Sequence, residues 1–369
     1  MSIRWWNPLT YYRRRAPGAA DAVPTVLLAP ASATEGAAPV PTVPASDAQN
    51  SDPQHDSGVL QVRFFCWLLA EPGSKGTDPL ALATATASTV ARLFERLDEV
   101  IASETLRAAL LPRAPHVVPQ LMKTLRDENY SSVDVAARIS RDVVLSAEVI
   151  RSASSVFRNV AGSGDSEPAV EGEIDLGRAV AVIGTQGLRR AIASVVLRPI
   201  FDGRGSTLSA RAAVQIWKDA DKKARLCAAL AAEHELDPFD GYLAGLLHNT
   251  GWTAALRAID GLPSELAVSP FELSHPDVVP LLLKRRDALF GALVGPWQLS
   301  RAVDDLAEEV GRLGLAAATS PLAVALREAV RLSAWHALLP AGHRPAASVP
   351  AWAVLARPVQ NCYRGLAAV

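Results

Sequence analysis

The chain has 369 residues, 37 of them basic and 38 acidic, a formal charge of −1 and 49% hydrophobic content. That length fits one large or two modest domains with tails, and that hydrophobic share supplies a substantial core. The near-neutral balance removes the basic footprint of a nucleic-acid binder, so no nucleic-acid partner is expected.

Residues 1–15 interleave Trp5, Trp6, Tyr11 and Tyr12 with Arg4, Arg13, Arg14 and Arg15, without any acidic residue. Trp, Tyr and Arg are the types that anchor interfaces, so this tip reads as a short linear binding motif. Its target is a protein groove, an anionic membrane surface or the chain's own body. Residues 16–58 hold seven prolines among Ala, Ser, Thr and Val. Such a stretch buries too little to offset its ordering entropy and reads as a disordered linker. Residues 59–70, with Val62, Phe64, Phe65, Trp67 and Leu68, are expected to form a short strand or a docking segment, leading into a helix that ends near 106.

From about residue 80 the apolar period is helical nearly everywhere. Leu93, Phe94, Leu97, Val100 and Ile101 form one stripe, and Val118, Leu121, Met122 and Leu125 form the next after Pro112 and Pro115. Ser131-x-x-Asp134 is a capping box, and Asp142 caps another short helix. Asp175 opens a helix ending at Gly184, and Thr185 opens one with Leu188, Ile192 and Val196. Residues 208–232 make a long helix carrying Ile216, Ala220, Cys227 and Leu230. Apolar helices follow at 239–247, 278–293, 300–313 and 321–338. The body is therefore all-α, with a seam at 200–207. No apolar run reaches the roughly 18–20 residues of a membrane span, and the start lacks the apolar segment of a secretory signal. Cys66, Cys227 and Cys362 are scattered and odd in number, which excludes a disulfide framework and a CxxC metal pair and fits a cytoplasmic setting.

Five blocks, taken together, resemble the HDOD family, the HD-related output domains. Leu111-Pro-Arg-Ala-Pro-His-Val-Val-Pro119 is similar to the family's opening LPxLPxv. Residues 135–155, Val-Ala-Ala-Arg-Ile-Ser-Arg-Asp-Val-Val-Leu onward, resemble iaelIsrDPaLaarlLrlaNSa, with Val143 for a Pro and Ser154 for an Asn. Residues 175–189 resemble sieeAIxxLGxxxLr, and Phe290 to Leu299 resemble vGaxLLxxWxLP. Leu243-Ala-Gly-Leu-Leu-His-Asn-Thr-Gly251 resembles LAGLLHDIG of HD-type phosphohydrolases. The blocks run in family order over residues 107–313, leaving 314–369 as a C-terminal helical extension.

The resemblance implies an N-terminal helical half, an HD-like C-terminal half, and a bacterial signal-transduction module acting through regulatory protein partners rather than catalysis. In HD enzymes an adjacent His and Asp bind a divalent metal with an upstream His and a later Asp. Two of these positions carry the wrong chemistry here, and a His-rich turn that family members often carry is altered as well. His248 is followed by Asn249, Asp219 stands where the upstream His would be in Trp217-Lys-Asp219, and the segment after Trp297 carries Asp304 and Asp305 but no His. The residues thus point to no metal, no cofactor and no enzyme, with the acids as solvated helix faces and His248 as a structural histidine. An altered metal site from Asp219, Asp221, His248 and Asp304 is the competing reading of these positions. The alternative function is a degenerate phosphohydrolase or a nucleotide or cyclic-dinucleotide sensor, with Asn249 and Lys222 or Lys223 near a phosphate. Lys218, Lys222, Lys223 and Arg225 otherwise read as a solvated basic face, and Cys227 as core rather than nucleophile.

Overall fold

The computed structural model describes residues 53–70, 87–111, 146–150, 153, 176–203, 207–263, 267–339 and 349–366. The aromatic-basic tip, most of the segment read as linker and the motifs at 112–145 lie outside these. All regular structure among the described residues is helical. In chain order the helices are α1 (Pro53–Leu69), α2 (Ala87–Ala102), α3 (Glu104–Leu110), α4 (Leu176–Phe201), α5 (Leu208–Glu233) and α6 (Pro238–His248). They continue with α7 (Thr250–Asp260), α8 (Pro270–Leu273), α9 (Val279–Val294), α10 (Arg301–Leu313), α11 (Pro321–Leu338) and α12 (Arg357–Leu366).

Side-chain caps set most of the boundaries that matter for the site. The Thr207 hydroxyl accepts from Ala210 N at the start of α5. There the Asp260 carboxylate, at the end of α7, also accepts from Leu208 N at 2.9 Å and Ser209 N at 3.0 Å. A carboxylate at the positive end of a helix satisfies two orphan donors and the dipole together. Asp237 caps α6 with Pro238 at its first position, and Ser320 and Pro321 do the same for α11. At the opposite pole, Arg257 of α7 donates to Leu110 O at 2.7 Å, Ile200 O at 2.9 Å and Asp202 O at 2.7 Å. It thereby ties the C-terminal ends of α3 and α4 to one guanidinium.

The 26-residue α5 is the axis of the fold, packed by α6, α11, α7, α12, α1 and α4. Small residues let α6 approach it closely. A methyl group added at Gly245 would lie 2.6 Å from Lys223 O, and one at Gly241 would lie 2.6 Å from Ala231 Cβ. A single apolar core runs from Leu60 on α1 to Leu366 on α12. A smaller cluster of Val149, Ala153, Ala179, Val180, Leu188 and Ala191 lies beside it, and Ile192 touches both.

Four expectations change. Residues 59–70 form no strand; they belong to α1, whose Phe65 is buried against Trp252 with ring centroids 4.9 Å apart. The buried Leu60, Phe64, Phe65, Leu68 and Leu69 follow a helical stripe. The helix begins at Pro53, inside the segment read as linker. The 200–207 seam is not a core boundary, because Leu197 and Phe201 share one core with Leu208 and Ala212. The C-terminal extension is integral: Leu326, Ala329, Val359 and Tyr363 are buried in that same core. The break foreseen at Gly184 is present, where α4 is interrupted at φ 62° and ψ −173°, a backbone region open essentially to glycine alone. Within α4, residues Arg178–Phe201 are long and apolar enough to cross a membrane by length and composition only. They bury Ala179, Val180, Leu188, Ala193 and Leu197 inside the fold.

Candidate functional site

The HD-like string ends α6 and opens α7, and its polar residues face the inner side of α5. On α5, Ile216, Asp219, Ala220 and Lys223 share one inward stripe, so Asp219 and Lys223 are an i, i+4 pair. Asp219 Oδ2 and Lys223 Nζ are 2.9 Å apart, and both residues are only 1% exposed. His248 and Asn249 are fully enclosed at the α6–α7 joint. Arg286 and Asp287 reach the same interior from α9.

Three acceptors converge on the Lys223 ammonium: Asp219 Oδ2 at 2.9 Å, Asn249 Oδ1 at 2.5 Å and, at a longer 3.5 Å, His248 Nδ1. An ammonium carries three N–H donors and no acceptor, so its valence is matched. The His248 tautomer follows from its other nitrogen. Asp287 Oδ1 lies 3.1 Å from His248 Nε2, and an ionised carboxylate only accepts, so Nε2 carries the proton and Nδ1 offers its lone pair to Nζ. Asp287 is held in turn: Oδ1 accepts from Arg286 Nε at 2.9 Å and Nη2 at 2.6 Å, and Oδ2 accepts from Leu315 N at 2.8 Å.

Asn249 is chosen for its amide. Although it joins two helices, its side chain makes no capping bond. Instead Nδ2 donates to Ile216 O and to Asp219 Oδ2, both at 2.9 Å, while Oδ1 accepts from Lys223. An aspartate here would aim a second carboxylate at a carbonyl and at Asp219.

The titration behaviour follows from the burial and the pairing. Desolvation is the largest influence on the Asp219 carboxyl and raises it, yet Lys223 and the Asn249 hydrogen bond together bring it below its ordinary value. Desolvation lowers Lys223, opposed by Asp219. Burial, with Arg286 nearby, brings His248 down to about 3, so the imidazole is neutral and its contact with Asp287 is a hydrogen bond rather than an ion pair. Asp287 falls to about 2: Arg286 and His248 outweigh a desolvation that alone would raise it.

Asp219, His248 and Asn249 are therefore brought together, and Asp219 does not lie on a solvated helix face. Asp221 is not part of the cluster; it pairs with Arg225 at 2.8 Å. Asp304, in the first turn of α10, accepts from Leu299 N at 3.1 Å, and Asp305 faces Arg301 on an exposed surface. Lys223 is no part of a solvated basic face. Lys223 was singled out only as a surface cation or a phosphate neighbour, and Arg286 and Asp287 escaped sequence reasoning, although each interrupts an apolar helical stripe, which is the available signal. Cys227 is buried, and desolvation pushes its thiol up to about 12, the reverse of what a nucleophile needs. Trp5, Trp6, Tyr11, Tyr12, Arg13, Arg14 and Arg15 lie outside the described residues.

As a donor set the cluster offers one carboxylate oxygen, one amide oxygen and one imidazole nitrogen around a single point, with a carboxylate orienting the imidazole. Those are metal-ligand types in a metal-site arrangement. The point itself holds an ammonium, and the polar groups around it are closed from solvent. No group of three His, Cys, Asp or Glu side chains suited to a metal occurs among the described residues.

With that geometry in place, the HDOD domain family model matches residues 111–313, more than half of the chain. The chain belongs to the HDOD family. Comparison with curated proteins gives no match. Among solved structures, this HDOD chain resembles a protein from Shewanella amazonensis SB2B named "Putative metal-dependent phosphohydrolase", with a TM-score of 0.52 and 20% identity over 76% of this chain and 99% of that one. A second Shewanella amazonensis SB2B protein, named "Putative phosphohydrolase", gives a TM-score of 0.44 and 22% identity over 75% of this chain and 94% of that one. An HDOD domain protein with unknown function from Geobacter sulfurreducens gives 0.42 and 21% over 75% and 89%. At these identities the likeness is one of fold.

Proposed function

We propose that this HDOD protein is a non-catalytic signal-transduction module that works through protein contacts. The observation that carries the reading is the sealed polar cluster around Lys223. Metal-assisted hydrolysis needs an open coordination position, a bound water and access for a phosphoryl group. Here Asp219, Asn249 and His248 all face the ammonium, and Asp219, Lys223, His248 and Asn249 are at most 1% exposed. A metal of the kind named for the Shewanella amazonensis relative does not fit this donor set as it stands, so no step runs through one.

The partner-binding element we assign to the tip, through Trp5, Trp6, Tyr11 and Tyr12 with Arg13, Arg14 and Arg15, and the partner to a regulatory protein in the same cytoplasmic compartment. Two measurements test the reading. Full-length protein, with Mn2+ supplied, should hydrolyse p-nitrophenyl phosphate, nucleotides and cyclic dinucleotides no faster than the His248→Ala variant. Turnover that disappears in that variant would make it an enzyme. Affinity purification from the source cells should recover a protein partner with the wild type and lose it when the four aromatics become Ala. Unchanged recovery removes the tip from the proposal.

A further inference from the structure

We propose that the Lys223 ammonium is a built-in replacement for a divalent cation, so that the cluster of Asp219, His248 and Asn249 is a cation site that α5 fills from within. The inference rests on the non-catalytic reading and supplies its chemical reason. The three atoms facing Nζ are a carboxylate oxygen, an amide oxygen and an imidazole nitrogen, at 2.9, 2.5 and 3.5 Å. A hydrophobic interior would have served folding as well or better, since buried charge networks are rarely retained for stability alone. The imidazole presents the lone pair that a metal would use. Its other nitrogen is locked by Asp287, the outer carboxylate that orients a metal-binding histidine.

Charge balance supports the same assignment. With neutral His248, the carboxylates of Asp219 and Asp287 are matched by Lys223 and Arg286. Adding a divalent ion beside the ammonium would bury two uncompensated positive charges, whereas removing the ammonium leaves one net negative charge and a cation-sized gap. A metal at the Nζ position would draw the two oxygens in by less than an ångström and the imidazole nitrogen, now at 3.5 Å, by about 1.4 Å, toward the ~2.0–2.6 Å of metal–ligand bonds. Asn249 is the neutral donor that suits a monovalent occupant: it accepts from Lys223 and donates to Asp219, which two carboxylates could not do.

The experiment compares wild type, Lys223→Ala and Lys223→Met by thermal melting with EDTA, Mn2+ or Co2+, and by elemental analysis after gel filtration. Wild type should carry no stoichiometric metal and melt at the same temperature in all three conditions. Lys223→Ala should melt lower in EDTA and regain about 4 °C or more in saturating Mn2+ or Co2+, with one metal bound per chain. Lys223→Met, which fills the gap without charge, should not respond, and His248→Ala added to Lys223→Ala should abolish the recovery. Lys223→Ala that ignores the metal, or stays unfolded in it, overturns the proposal while leaving the non-catalytic reading intact. Stoichiometric metal in wild type overturns the proposal, and hydrolysis dependent on that metal overturns the reading as well.

Discussion

His248 shows how one enclosed side chain sets a pH dependence for the whole fold. Its imidazole is held neutral, brought down to about 3 by burial and by the neighbouring Arg286. In the unfolded chain it titrates near its ordinary ~6.5. Above that value neither state binds the proton and His248 contributes no slope. As pH falls from about 6.5 toward 3 the unfolded state binds a proton that the folded state refuses, so stability declines, by at most ~1.4 kcal/mol per pH unit from this residue. Asp287 and Asp219, both lowered, add their losses only at more acid pH, as the unfolded carboxyls begin to titrate near ~3.9. Urea unfolding at pH 7.5, 6.5, 5.5 and 4.5 should therefore show a wild-type slope that His248→Gln reduces. Parallel pH curves for the two proteins would mean that His248 is charged in the fold and that the tautomer assigned here is wrong. The identity of this histidine was legible in the sequence from the Leu-Leu-His-Asn-Thr-Gly string. Of its partners only Lys223 was named, as one of two lysines placed near a phosphate rather than as the group His248 faces; Arg286 and Asp287 were not, and these contacts span 25 to 39 positions of sequence. Local pattern reports that a charged residue sits on an apolar stripe, but not which other stripe it meets.

The pairing of α5 with α6 is where element-level packing fixes the site. Gly245 has the Lys223 carbonyl 2.6 Å, and the Ala224 Cα 2.7 Å, from where a Cβ would stand. Both are backbone atoms, so a side chain there can be accommodated only by moving one helix. Because Lys223 is itself the residue under Gly245, that movement draws His248 and Asn249 away from the ammonium. Gly245→Ala should cost about 2 kcal/mol or more, from overpacking and from a weakened network. Gly58, exposed on α1 with nothing within 4 Å of an added Cβ, is the matched control. Gly58→Ala should be neutral or stabilise by up to ~1 kcal/mol through helix propensity. Chemical denaturation of both variants checks the pair, and a Gly245→Ala protein as stable as Gly58→Ala would mean that the helices are not in van der Waals contact there. The helix bearing Gly245 was legible from its apolar pattern, as were the break at Gly184 and the stripes of α9, α10 and α11, whereas the helix bearing Gly58 was not. Residues 59–70 were left open between a short strand and a docking segment because a run rich in Val, Phe and Trp has both strand propensity and a helical stripe, and only burial against Trp252 decides between them.

At the scale of the molecule, the family boundary and the folding boundary differ. The HDOD match ends at residue 313, yet α11 lies along α5, and α12 packs on α5 as well. Tyr363 of α12 is buried with edge-on ring contacts to His336 and Trp352, both at 5.3 Å between centroids. On the N-terminal side, Phe65 and Leu68 of α1 are fully enclosed in the same core. Cutting at 111 and 313 would uncover the α5 faces that α1, α11 and α12 cover, together with Trp252. Each large side chain so uncovered forfeits roughly 1.5–3 kcal/mol of burial, against the ~5–15 kcal/mol by which a domain is normally stable. A fragment of residues 111–313 should therefore keep helical far-UV signal but bind a hydrophobic dye and unfold without a sharp transition, while the full chain unfolds cooperatively. A sharp transition in that fragment would show that α1, α11 and α12 are accessories. The same interdependence bears on the site. Ser333 of α11, whose hydroxyl donates to Val330 O, is the smallest of the influences that lower the Asp219 carboxyl, so the helix that follows the family match also borders the cluster within it.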